Sequence, residues 1–115
     1  MSFDEVARKR IESAVAAYVQ KRRPPVHIRP ELDIGFRIAG QSVEIFEIRP
    51  SFHRPKELRE GPVAKATFVK SRALWKVLWH RSDMKWHSDA PVPMVGSIEK
   101  FLELVDADPH GCFWG

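Results

Sequence analysis

Apolar residues first recur at helical spacing. Phe3, Val6, Ala7, Ile11, Ala14, Val15, Tyr18 and Val19 fall on one stripe, and charged residues fill the gaps between them. Ser2 followed by Glu5 has the form of a capping box. The pattern predicts a helix over 3–22. It must stop at Arg23-Pro24-Pro25, because a residue before proline is pushed out of the α region and proline brings no amide to the ladder.

Beyond these prolines the period changes to two. Leu32, Ile34, Phe36 and Ile38 alternate with Asp33, Gly35 and Arg37, and β-formers fill the run after Gly40. A hairpin over 31–49 is expected, turning at Ala39-Gly40-Gln41 with Gly40 free to take a positive φ. A second hairpin is expected from 63–70 and 74–81, joined at Ser71-Arg72-Ala73, where the turn chemistry is weaker. The prolines and glycine of 50–62 predict a surface crossing rather than a strand, and 88–96, with Pro91 and Pro93, predicts a second loop.

Ser97 then caps a short helix whose stripe is Ile98, Phe101, Leu102 and Val105. The closing Cys112-Phe113-Trp114-Gly115 is too apolar to leave in water and is expected to pack back on the rest. Taken together, these elements predict an α+β fold: an N-terminal helix, a four-stranded antiparallel sheet of two hairpins, a short C-terminal helix and an apolar tail. Both helices are expected on one face of the sheet.

Length and composition support one domain over 1–115. A chain of 115 residues that is 43% hydrophobic and 30% charged can bury a core and lies far from the disordered regime. No apolar run approaches the roughly 20 residues that span a bilayer, and the first residues lack the apolar core of a signal peptide. A cytoplasmic protein with no membrane partner is expected. Cys112 has no second cysteine to pair with, which excludes an internal disulfide and a thiolate-cluster zinc site.

The net charge of +4 is unevenly spread. Arg8, Lys9, Arg10, Lys21, Arg22, Arg23 and Arg29 make the front basic, while Glu99, Glu103, Asp106 and Asp108 make the end acidic. This asymmetry is compatible with an anionic partner, but plain solvation of a small surface accounts for it more simply. Lys21 and Arg22 also have a structural use, since they fall at the negative end of the first helix.

Three constellations could carry chemistry. His80, Asp83 and His87 lie within one strand end and turn, and His53, His110 or Cys112 could complete a metal set. Their spacing matches no standard zinc signature, and an aromatic-rich sheet edge explains the same residues. Asp33 on one strand and Glu47 on its hairpin partner, followed by Arg49, partly match the acid and Glu-x-Lys arrangement that holds Mg²⁺ in restriction-like nucleases. Arginine stands where that chemistry wants lysine, and cross-strand pairing of Arg37 with Glu44 or Glu47 accounts for the charges without catalysis.

The third set is basic and aromatic. Lys65, Lys70, Arg72, Lys76, Arg81 and Lys85 interleave with Phe68, Trp75, Trp79 and Trp86. Period two puts Trp75, Val77, Trp79 and Arg81 on one face, with Leu74, Lys76, Leu78 and His80 on the other. Outward tryptophans would stack on bases while lysines reach phosphates; inward ones would simply form core.

Five strings together carry a resemblance: Lys21-Arg22-Arg23-Pro24-Pro25 with His27-Ile28-Arg29, Leu32-Asp33-Ile34-Gly35, Glu44-Ile45-Phe46-Glu47-Ile48-Arg49-Pro50, Asp83-Met84-Lys85-Trp86-His87 and Gly111-Cys112-Phe113-Trp114-Gly115. They resemble the bacterial family called domain of unknown function 3024 over essentially the whole chain. That resemblance implies a small bacterial protein of this length and assigns no residue a catalytic role.

The functional expectation is therefore a non-enzymatic binding or adaptor module for an acidic macromolecule, nucleic acid or protein, using Lys70, Arg72, Trp75, Lys76, Trp79, Lys85 and Trp86. A metal-dependent hydrolase or nuclease built on Asp33 and Glu47 is the alternative. A structural protein that dimerises through its aromatic surface is the third reading. No cofactor is expected, with a divalent metal left open at Asp33 and Glu47 or at His80, Asp83 and His87.

Overall fold

In the computed structural model, which describes residues 3–88 and 93–114, the elements follow in the order α1 (Glu5–Arg22), β1 (Asp33–Ala39), β2 (Ser42–Pro50), β3 (Leu58–Val69), β4 (Leu74–His80), β5 (Trp86–His87), β6 (Met94–Val95) and α2 (Ile98–Ala107). The fold is α+β, an antiparallel sheet between an N-terminal and a short C-terminal helix. Ser2 of the expected capping box, Pro91 of the second loop and Gly115 of the tail lie outside the described residues.

The cap of α1 is Asp4, whose Oδ1 accepts from the Ala7 amide at 2.8 Å, so the helix begins at Glu5 rather than Phe3. Phe3 stays outside the helix, with ring centroids 5.5 Å from Trp75 and 6.3 Å from Phe68. At the other end Arg23 takes φ −57° and ψ 140°, the extended conformation that a following proline imposes. Ser97 caps α2 as expected, its Oγ accepting from the Lys100 amide at 3.1 Å.

Strand order is β1-β2-β3-β4-β5, with β6 also on β4, and every pairing is antiparallel. Both expected hairpins are present. The two extra strands each have two residues, too few to show an alternation in sequence, and they pair with the His80 and Trp75 ends of β4. In the first turn Ala39 opposes Ser42, leaving Gly40 at φ 59° to reverse the chain.

The largest departure from expectation lies in β3, which begins at Leu58 and runs through Gly61-Pro62. The expected crossing of 50–62 is thus confined to 51–57. Proline is tolerated here because β4 last pairs at Ala64, opposite Trp79, so the earlier part of β3 has a neighbour on one side only. The register also slips between Ile45, opposite Ala64, and Phe46, opposite Pro62, leaving Val63 as a bulge.

One face of the sheet holds the core. Ile11, Val15 and Val19 of α1 and Ile98, Phe101, Leu102 and Val105 of α2 cluster with Ile34, Val43, Ile45, Ala64, Ala66, Trp75 and Val77. Val43 opposes Ala66 and Ala66 opposes Val77, so these strand residues project the same way and both helices cover that face. The tail packs back: Phe113 is buried, the Trp114 indole N–H donates to the Val105 carbonyl at 2.9 Å, and the Asp108 carboxylate accepts from the Phe113 and Trp114 amides. The Arg22 guanidinium sits 4.5 Å from the Trp114 ring centre, a use for part of the basic front that needs no partner.

Candidate binding face

Of the histidine set, only a pair forms. His87 Nε2 lies 2.8 Å from Asp83 Oδ2, and the Lys85 amide donates to Asp83 Oδ1 at 3.0 Å. Desolvation pushes the Asp83 carboxyl up, but His87 and the Lys85 amide together hold it below its ordinary value. His80 is elsewhere. It opposes Trp86, whereas His87 opposes Trp79, so the two imidazoles leave opposite faces of the sheet. Among the described residues no group of three or more His, Cys, Asp or Glu is placed to hold a metal ion, which corrects the expected His80, Asp83 and His87 set.

Asp33 and Glu47 do not converge either. Asp33 opposes Ile48 and Glu47 opposes Ile34, so alternation aims the two carboxylates at opposite faces of the hairpin. Both Asp33 oxygens are already engaged by Arg23, which holds the carboxyl below its ordinary value. Glu47 faces Arg49 at 3.3 Å. Arg37 forms its ion pair with Glu60 on β3 rather than with Glu44 or Glu47, a partner the local pattern hides because Gly61-Pro62 beside it has the form of a loop.

The tryptophans divide between the two faces, which corrects the expectation that they work together. Trp75 is buried against Phe68, with ring centres 5.2 Å apart, and belongs to the core. Trp79 lies on the same side at the core's edge, its indole N–H buried without a hydrogen-bond partner, and Arg81 lies over its ring at 5.0 Å. Trp75 is enclosed by the core, and Trp79 faces the side of the sheet that the helices cover. Trp86 is different. It opposes His80, so it projects from the face that neither helix covers, and its ring centre is 5.7 Å from Lys65 Nζ.

That uncovered face is built by register. Arg37, Glu44, Lys65 and Leu78 stand opposite one another on successive strands, and Lys76 stands opposite Thr67. Phe46 is buried on this side, lying over Gly35 with the Arg37 guanidinium 4.6 Å from its ring centre. Lys76 is exposed at its middle, Lys70 and Arg72 are exposed on the β3–β4 turn, and Lys85 is exposed on the β4–β5 turn. The structure thus keeps Lys76 and Trp86 of the expected set on one surface, adds Lys65 and leaves Lys70, Arg72 and Lys85 at the rim. Lys65 was visible in sequence as a basic residue; its place beside Trp86 depends on register across three strands.

Among the described residues no helix is long and apolar enough to cross a membrane. No curated protein and no solved structure matches the chain. A family model does match, over residues 3–115, so the chain belongs to the family described as domain of unknown function (DUF3024).

Proposed function

We propose that this protein is a non-enzymatic, cytoplasmic binding module that lays the uncovered face of its sheet on an anionic macromolecule, with single-stranded nucleic acid the partner whose chemistry fits best. The observation that carries this reading is the pairing of Lys65 with Trp86, Nζ 5.7 Å from the ring centre, on a face that α1 and α2 leave open. A cation beside an aromatic ring offers a phosphate contact and a stacking surface in one place. Lys76 extends the charge along β4, and the rim lysines enlarge it. Little sequence preference is expected, since the sequence carries no recognition-helix or zinc-finger pattern to read base edges.

The test is a tryptophan-fluorescence titration with mixed-sequence single-stranded DNA and RNA at several salt concentrations, repeated with Trp86→Phe to assign the signal. Binding that weakens steeply with salt and loses its fluorescence change in the variant supports the reading. Absence of binding at low salt defeats it, and leaves an acidic protein as the partner to seek.

A further inference from the structure

The β2–β3 ribbon carries a charge arrangement that neither the core nor the uncovered face needs. Arg49 and Arg59 are direct partners in the register, so their guanidiniums leave the same side of the ribbon. Like charges placed directly opposite destabilise a strand pair. Flanking strands do not relieve them, because β1 begins opposite Ile48 and β4 ends opposite Ala64. Neighbouring acids do so only in part. Glu57 pairs with Arg54 and Glu60 with Arg37, Glu47 reaches Arg49 at 3.3 Å, and among the described residues Arg59 has no carboxylate partner.

Both arginines line an open pocket of about 250 Å³, together with Phe52 and two carboxylates, Glu47 and Glu60, the latter engaged by Arg37. Phe52 is 91% exposed, an unusual position for an aromatic ring, and among the described residues its one ring contact is the edge-on His53, with centroids 5.2 Å apart. Arg49 and Arg59 share the parity of Glu47, which opposes the core residue Ile34. Its two arginines and Glu47 therefore lie on the opposite side of the sheet from Lys65 and Trp86, while Glu60, opposite Ile48, lines it from the other side.

We infer that this pocket is an anion site for a phosphate joined to a planar ring, the chemistry of a nucleotide. Two guanidinium forks match the oxygens of one phosphate, and Phe52 supplies the face on which the ring stacks. The bound phosphate also neutralises the opposed arginines, which explains why an otherwise unfavourable pair persists. Glu47 competes with the ligand for Arg49. A free nucleotide and the phosphorylated end of a strand carry the same groups. The site does not depend on the uncovered face being a binding surface.

NMR titration of the full chain tests this, using inorganic phosphate, adenosine, AMP, and a tetranucleotide with and without a terminal phosphate. Shifts are expected for the amides of 47–61 and the side-chain Nε of Arg49 and Arg59. AMP should bind about tenfold more tightly than inorganic phosphate. Phe52→Ala should remove that advantage while leaving phosphate binding unchanged; Arg59→Gln should weaken both ligands about tenfold, and Glu47→Gln should strengthen both. Arg59→Gln should not lower Tm, because it relieves repulsion. Preference for AMP over the phosphorylated tetranucleotide assigns a free nucleotide, and the reverse assigns a strand end. Adenosine binding as well as AMP, shifts confined to the Lys65 and Trp86 side, no shifts at all, or a Tm fall in Arg59→Gln overturns the inference.

Discussion

Arg23 grips Asp33 at two points, Nε to Oδ1 at 2.9 Å and Nη2 to Oδ2 at 2.8 Å. The pair joins the residue that ends α1 to the residue that begins β1, so it closes the 24–32 connection like a clasp. Both side chains are mostly screened from water, and the Ile34 amide donates a further bond to Oδ1 at 2.8 Å.

Asp33→Asn should therefore destabilise the fold by about 1–3 kcal/mol, since the charge-assisted fork is lost while the chain is otherwise unchanged. The effect should depend on pH. Arg23 first, with the Ile34 amide, holds the folded Asp33 carboxyl below its unfolded value. Its contribution is thus present above the unfolded carboxylate range, about 4, and fades as pH falls through the lower folded value. Urea denaturation of both proteins from neutral to acid pH should show their difference shrinking in acid; a constant difference would falsify the assignment.

Trp75 and Trp86 should respond oppositely to replacement. Trp75→Ala empties a buried site beside Phe68 and should cost about 3–5 kcal/mol in stability. Trp86→Ala should cost much less stability, but about 1–3 kcal/mol in single-strand binding with little change in its salt dependence. Thermal unfolding and fluorescence anisotropy on the same samples separate the two. Equal losses of binding in two folded variants would contradict the division of the tryptophans between faces.

Charge on the uncovered face should appear in the salt slope. Lys65→Gln and Lys76→Gln should each flatten the logarithmic dependence of affinity on salt by roughly 0.7 if each contacts one phosphate of a single strand. Lys9→Gln, on the exposed side of α1, serves as the control and should leave the slope alone.

Gly35 has no room for a side chain. A Cβ there would meet the Phe46 ring at 2.9 and 3.0 Å and Ile48 Cδ1 at 3.4 Å. Gly35→Ala should displace Phe46 from its place under Arg37 and cost about 1–3 kcal/mol, as overpacking does elsewhere. Chemical denaturation measures the loss, and Phe46→Leu in the Gly35→Ala background should recover part of it by making space.

Much of the architecture was legible from local pattern. The helix stripe ending at Pro24-Pro25, the turn at Gly40, the cap at Ser97 and the shared face of Trp75 and Val77 all follow from backbone sterics and side-chain alternation, which act within a few residues. Where reading failed locally, the cause was a competing signal. Gly61-Pro62 looks like a strand breaker, yet β3 crosses it at the edge of the sheet's width and beside a bulge.

Partnership between distant residues was decided by tertiary structure alone. Asp33 and Glu47 looked like a metal pair until the register set them one position out of phase, and His80 and His87 parted for the same reason. Arg37 found Glu60 and Lys65 found Trp86 across strands separated in the chain, and Arg49 met Arg59 through the register of two consecutive strands. A period of two fixes which residues of one strand share a face, and the sequence states that period. Which residues of neighbouring strands then oppose one another depends on turn lengths and on the bulge at Val63, where a single-residue slip reverses every side chain beyond it.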